Sequence, residues 1–316
     1  MSQPERVLIT GASGFIGANL ARAEVAAGKE VHLLVRDGSR LERVREVLAR
    51  CTVHLADLRD AAALRRAVDR CRPEVVYHAA AQGTFYQRSD CLDILTSNLL
   101  GTAHLLEATR GHDLRTFVHV GSSSEYGHKA APMRPEDRLE PRCDYGVAKA
   151  AATLLCQAEA FRGRPVLTVR IFSAYGPWED PARIASHVMG CCLRGETIRV
   201  TAGHQPRDFI YVDDVVSLLQ LAGRRPDLRG QVLHAGAGRP QTVRDLVETI
   251  VSVAGGRRVE YGSHSARRDE PVVWQADLEA TISQTGWAPV HDLRPGVERM
   301  WAWFRATAND PCRACA

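Results

Sequence analysis

Tyr145 and Lys149 stand four residues apart, the spacing that sets two side chains one turn apart on one face of a helix. An ammonium beside a phenol favours the phenolate and draws its pKa down from about 10. Such a phenol can pass a proton to or from a substrate oxygen while a hydride moves at the carbon that bears it. A hydroxyl to orient that oxygen is available in the run Ser122-Ser123-Ser124. The run alone leaves open which of the three acts.

A hydride needs a carrier, and Thr10-Gly11-Ala12-Ser13-Gly14-Phe15-Ile16-Gly17 has the form of a dinucleotide loop. Gly11 permits the tight turn, Gly14 lets backbone approach a pyrophosphate, and Gly17 allows close helix–sheet packing. Ser13, Phe15 and Ile16 lie where the start of a helix presents N–H donors and a partial positive charge. The cofactor ribose is read at the end of the next strand, Leu34-Val35-Arg36-Asp37. Counted from the turn at Gly28, the usual acidic position falls on Val35, and Arg36 follows it. A guanidinium suits a 2′-phosphate, so NADP is favoured. Asp37 keeps NAD open, since a one-residue shift returns a carboxylate to the ribose. Asp57-Leu58 is placed beside the adenine.

Positioning these groups requires strands that alternate with helices. Short β-branched runs at Val7–Thr10, Val31–Val35, Thr52–Leu55, Val75–His78, Thr116–Val120 and Val166–Arg170 predict strands. Helical periodicity is expected between them: Gly14–Ala27, Ser39–Arg50, a segment capped by Asp60 and reaching Cys71, Cys91–Arg110 and Tyr145–Phe161. Such alternation gives right-handed crossovers and a parallel sheet covered on both faces. The expected fold is α/β, a Rossmann-type doubly wound parallel sheet with a smaller C-terminal substrate-binding region. Residues 1–172 form the dinucleotide-binding part, with sheet elements returning near 210–240, and 173–316 mainly the substrate part. The cleft between the two is the default ligand site.

Gly11-x-x-Gly14-x-x-Gly17, His78-Ala79-Ala80-Ala81, Ser122-Ser123-Ser124-Glu125-Tyr126-Gly127 and Tyr145-x-x-x-Lys149 follow one another in this order. Together they resemble the extended short-chain dehydrogenase/reductases. More narrowly, the chain resembles the NAD-dependent epimerase/dehydratase group that modifies nucleotide sugars. Arg170-Ile171-Phe172-Ser173-Ala174-Tyr175-Gly176-Pro177 and Arg207-Asp208-Phe209-Ile210-Tyr211-Val212-Asp213-Asp214 add two further matching stretches. The resemblance implies that Ser122, Tyr145 and Lys149 are catalytic, that Lys149 also holds the nicotinamide ribose, and that Ala79 and Ala80 lie along the cofactor. It implies a nucleoside-diphosphate sugar as substrate and a homodimer. Ser123 and Ser124 occupy positions where dehydratases of the group carry an acid, and Glu125 comes one place too late. Water elimination is therefore disfavoured. Reduction of a 4-keto-6-deoxy sugar is placed narrowly ahead of 4-epimerisation with bound NAD, because Arg36 fits a net consumer of NADPH. A non-catalytic dinucleotide sensor is a remaining alternative, though such proteins usually lose the Tyr or the Lys.

A diphosphate needs fixed cations. Arg207 matches the family's diphosphate-binding arginine and Arg267 a second one, a role that neighbouring Arg268 could also take. Ser173 stands where many relatives have Asn, a longer side chain with two kinds of hydrogen-bonding group. Gln82, Thr84 and Tyr86 are weaker candidates for the sugar pocket. The 316 residues carry 41 Lys and Arg against 37 Asp and Glu, too small an excess for a nucleic-acid partner. No apolar run approaches the roughly 18 residues of a membrane helix and no signal-peptide pattern precedes the first strand, so a cytoplasmic protein is expected. Nine scattered cysteines fit reduced thiols. Cys312-Arg313-Ala314-Cys315 lacks a second ligand pair, so no metal is expected.

Overall fold

The computed structural model describes residues 4–83, 90–265 and 271–308. They fall into two compact units. The first comprises residues up to Gly127, Glu136–Ile171 and Val216–Leu233; the second comprises His128–Pro135, Phe172–Val215 and His234 onward.

In the first unit, β1 (Arg6–Thr10), β2 (Glu30–Val35), β3 (Cys51–Leu55), β4 (Val75–His78), β5 (Thr116–Ser122) and β6 (Val166–Ile171) alternate with helices α1 (Phe15–Ala26), α2 (Ala61–Cys71), α3 (Cys91–Leu95), α4 (Gly101–Ala108) and α5 (Asp144–Phe161). A seventh strand, Val232–Ala235, lies beside β6, and the sheet then runs β6-β5-β4-β1-β2-β3. Those six strands pair in parallel throughout. The reversal of order at β1 and β4 is the switch point where such sheets bind ligands. Central strands are apolar on both faces because both are covered: Val7, Leu8 and Ile9 are fully buried, as are Val76, Phe117 and Val118. Asp60 caps α2 as expected, accepting from the Ala63 N–H at 2.9 Å.

Two expected helices differ. Ser39–Arg50 is not an α-helix but two short 3₁₀ turns, Glu42–Val44 and Leu48–Arg50. The Arg22 guanidinium donates to the Arg43 carbonyl, the group that Val47 would need as its α-helical partner. Val47 N–H bonds Val44 O instead. Of the residues in the two turns, only Val44 is buried, too little apolar contact to hold a longer helix. Cys91–Arg110 is helical but interrupted by a π turn at Thr96–Leu100, an irregularity that often marks a functional segment.

The second unit is built around three helices, Ile184–Arg194, Val243–Val253 and Leu293–Ala306, whose Val188, Met189, Leu246, Ile250, Val297 and Met300 share one core. Three two-stranded pairs complete it: Ser173–Tyr175 with Phe209–Tyr211, Ile198–Val200 with Val259–Tyr261, and Pro206–Arg207 with Gln241–Thr242.

Candidate active site

The glycine loop follows β1 and opens α1. Gly11 has φ +71°, and a Cβ there would stand 2.6 Å from the Ala80 backbone, so only glycine lets the loop touch the end of β4. A Cβ on Gly17 would collide with the Gly11 carbonyl. At Gly14 the nearest atom to such a Cβ is the Gly11 oxygen at 3.2 Å. Gly14 is the N-cap of α1 and offers no side-chain cap, and no acidic residue occupies the first turn. The N–H groups at the start of α1, from Phe15 and Ile16, thus meet no capping side chain or local carboxylate. This donor set fits a dinucleotide pyrophosphate.

The opposite wall is held by a hydrogen-bond chain. Thr10 Oγ1 pairs with His78 Nδ1 at 2.8 Å, His78 Nε2 with Thr102 Oγ1 at 2.9 Å, and the Ala80 N–H donates to Thr10 Oγ1 at 3.1 Å. Burial lowers the His78 pKa to about 3, so this imidazole is neutral and the chain is fixed. The π turn buries Asn98, whose Oδ1 accepts from Gln82 N–H and whose Nδ2 donates to Gln82 O, each at 2.8 Å. Asn98 thus clamps the segment after Ala79 and Ala80, a role that nothing in the local sequence signals, since Asn98 follows two other polar residues, Thr96 and Ser97.

At the end of β2, Arg36 and Asp37 are exposed in a turn closed by Ser39 N–H to Arg36 O at 3.1 Å. Asp37 Oδ1 accepts from Gly38 N–H at 3.0 Å. Asp57 is gripped by Arg59 through bonds of 3.0 and 2.7 Å. The hydrogen bond from Arg59 leads in holding its carboxyl below the usual range, with the Arg36 charge a smaller contribution. Arg36 and Asp57 are therefore neighbours at the ends of adjacent strands. Leu58 is buried against Gly101, where a Cβ would come 2.7 Å from the Leu58 Cβ. Arg43 Nη1 also donates to Ser13 O at 3.1 Å, bringing to the glycine loop a cation that no sequence motif announced.

Ser122 ends β5 and caps a 3₁₀ turn over Ser123–Glu125. Its Oγ accepts from Ser124 N–H at 3.1 Å, and Glu125 Oε1 accepts from Ser122 N–H at 2.8 Å. The other Glu125 oxygen takes Arg170 Nε at 2.7 Å, and Arg170 Nη1 donates to the Tyr126 hydroxyl. Glu125, Tyr126 and Arg170 are all buried, so Glu125 shapes the serine turn and is sealed from solvent. Helix α5 is driven against that turn by Gly146, where a Cβ would lie 2.5 Å from Ser124 O. Tyr145, half-buried, begins this helix beside the turn. Lys149, one turn on, is buried and donates to Val120 O at 2.5 Å. Burial lowers its pKa to about 8, against the opposing charge of Glu125. The fold thus gathers Ser122, Ser123, Ser124, Tyr145 and Lys149 around the C-terminal end of β5.

The substrate candidates Ser173 and Arg207 belong to the second unit. Ser173 pairs with Phe209, and its N–H bonds at 3.0 Å to the carbonyl of Asp208, the residue that follows Arg207 in the chain. Arg207 Nη1 donates to Pro206 O at 2.7 Å, and its guanidinium lies 5.8 Å from the centre of the Trp274 ring. Asp208 organises the segment: its carboxylate accepts from Ala237, Gly238 and Ala276 N–H. Burial pushes its pKa up to about 6 against those bonds. Thr84, Tyr86, Arg267, Arg268, Cys312 and Cys315 lie outside the described residues. No described helix is long and apolar enough to cross a membrane.

Comparison with known proteins adds a family. The model of the NAD dependent epimerase/dehydratase family matches residues 7–236. A UDP-glucose 4-epimerase of Mycolicibacterium smegmatis is 30% identical over 95% of this chain and 98% of its own. A dTDP-glucose 4,6-dehydratase of Streptomyces niveus is 28% identical over 95% and 93%. Among solved structures, MoeE5 in complex with UDP-glucuronic acid and NAD superposes with a TM-score of 0.83, at 30% identity over 95% of this chain and 99% of that one.

Proposed function

The chain belongs to the NAD-dependent epimerase/dehydratase family, and from that membership we propose that it interconverts the C4 configuration of a nucleoside-diphosphate sugar by reversible oxidation, without losing water. The observation that carries this reading is the burial of Glu125 against Arg170 and Tyr126. With serines at 123 and 124 and Glu125 sealed away, that turn has no group to protonate a leaving hydroxyl. Proton transfer at the C4 oxygen is left to Tyr145.

Tyr145, as phenolate, takes the proton from the C4 hydroxyl. Ser122 hydrogen-bonds the same oxygen. Lys149 supplies the positive charge that favours the phenolate, its ammonium oriented by the Val120 carbonyl. A nicotinamide dinucleotide on the glycine loop, held by Ser13, Gly14, Phe15, Ile16 and the Ala79–Ala80 wall, would supply the hydride acceptor. Tyr145 returns the proton once the 4-keto sugar has presented its other face. Arg207 supports a diphosphate in the substrate, with Ser173 as a further substrate contact, and Arg267 is proposed as its second cation.

Epimerisation is placed ahead of reduction because epimerases are prominent among the relatives, and an epimerase returns its hydride to the same sugar. Reduction of a 4-keto sugar is the second reading, favoured by the exposed Arg36 at the end of β2 and by NADP as its cofactor. Incubation with UDP-glucose, UDP-glucuronic acid and dTDP-glucose, each with NAD, separates the possibilities by product analysis. A C4 epimer of unchanged mass, formed without net change in NADH, is expected. A product lighter by one water would overturn the reading, and NADPH oxidation seen only with a 4-keto sugar would replace it by the reductase.

A further inference from the structure

Away from the candidate active site, β2, β3 and the end of α2 bring His32, His54 and Cys71 together. One nitrogen from each imidazole and the Cys71 sulfur all lie within 4.8 Å of one another. His32 Nδ1 and His54 Nε2 are 2.9 Å apart, and His32 Nε2 is 3.1 Å from Glu30 Oε1. The second contact decides the chemistry of the first. A carboxylate beside Nε2 holds the proton on that nitrogen and leaves the Nδ1 lone pair facing His54. Ligand histidines are usually oriented in this way, by giving their other N–H to a carboxylate.

We propose that His32, His54 and Cys71 form a binding site for a zinc-class divalent cation, with Glu30 as the carboxylate that orients His32. Imidazole nitrogen and thiolate sulfur are both ligand types that zinc takes in tetrahedral sites. Bonds of about 2.0–2.1 Å to nitrogen and 2.3 Å to sulfur place tetrahedral ligand atoms about 3.3–3.6 Å apart, so modest side-chain rotation closes the site. Water completes the fourth position. Binding leaves both imidazoles neutral, with the His54 proton moved to its outer nitrogen, and releases the Cys71 proton to solvent. The thiolate and Glu30 then carry two negative charges, opposing the nearby cations Arg6 and Arg70. These three ligands come from separate elements, so no local spacing marks them as it marks Cys312 and Cys315.

Cobalt(II) is the probe, titrated into full-length protein stripped of metal. One equivalent should bind with a thiolate-to-cobalt charge-transfer band, and zinc should displace it and raise the melting temperature. Cys71→Ser should abolish the band, and so should His54→Ala, a half-exposed position on an edge strand that keeps the fold testable if Cys71→Ser does not fold. Glu30→Gln should weaken affinity by about tenfold or more. Turnover of His54→Ala should match wild type, and Cys312→Ser/Cys315→Ser should retain the band. No band in wild type, or a band that survives Cys71→Ser, would overturn the site.

Discussion

Removing one oxygen from Tyr145 is the smallest change that tests the chemistry. Tyr145→Phe keeps the ring at the start of α5 but deletes the proton-transfer group. Turnover should fall by at least about a hundredfold, the scale of a lost acid–base catalyst, while calorimetric cofactor affinity stays near wild type. Retained turnover would take Tyr145 out of the mechanism. Arg36 tests the carrier at the same scale. A guanidinium on a 2′-phosphate contributes roughly 1.5–3 kcal/mol, about ten- to hundredfold in affinity. If Arg36 reads the ribose, wild type prefers NADPH by that factor, and Arg36→Ala removes the preference while NADH binding holds. If wild type binds NADH more tightly, the reductase reading loses its local support and the bound-NAD epimerase stands alone. Arg43, bonded to Ser13 O, is the natural control, because its loss should weaken both cofactors together.

At the scale of elements, the serine turn depends on a charge pair that no neighbouring sequence reveals. Glu125→Gln would leave Arg170 buried without its counter-ion, and breaking such a pair costs about 3–5 kcal/mol. Thermal melts should therefore show a large loss of stability, with reduced turnover following from a displaced Ser122. A stable variant that had lost only turnover would make Glu125 a chemical participant and revive elimination. The same contrast explains what was legible beforehand. The glycine loop and the Tyr145–Lys149 pair are local patterns, and their spacing follows directly from strand–turn–helix geometry. The function of Glu125 is set by a partner 45 residues away. The missing helix at 39–50 is likewise decided elsewhere, by the Arg22 guanidinium reaching from α1. Asn98 depends on a π turn, and helical periodicity carries no sign of one. Contiguous motifs survive translation into structure, whereas side chains recruited across the fold do not announce themselves.

At the scale of the whole molecule, the question is what covers the outer face of α5. Val147, Leu154 and Phe161 recur at intervals of seven and are 45%, 56% and 94% exposed. A seven-residue apolar repeat is the pattern of helices that pack against helices. On α3 and in the π turn, Leu92 and Leu100 are also exposed, at 69% and 49%. Burying a side chain of this kind is favourable by about 1.5–3 kcal/mol, so a second copy of the chain pairing these helices gains from several at once. This supports the homodimer proposed from family resemblance. Sedimentation should then give about twice the 34.7 kDa of one chain. Leu154→Glu places a carboxylate in the middle of the stripe without touching Ser122, Tyr145 or Lys149. Losing one such contact and desolvating a charge should weaken association by about a hundredfold or more, shifting the variant toward monomer at micromolar concentration while its melt stays cooperative. A wild-type monomer at those concentrations, or a Leu154→Glu dimer as tight as wild type, would assign the exposed stripe to something other than self-association.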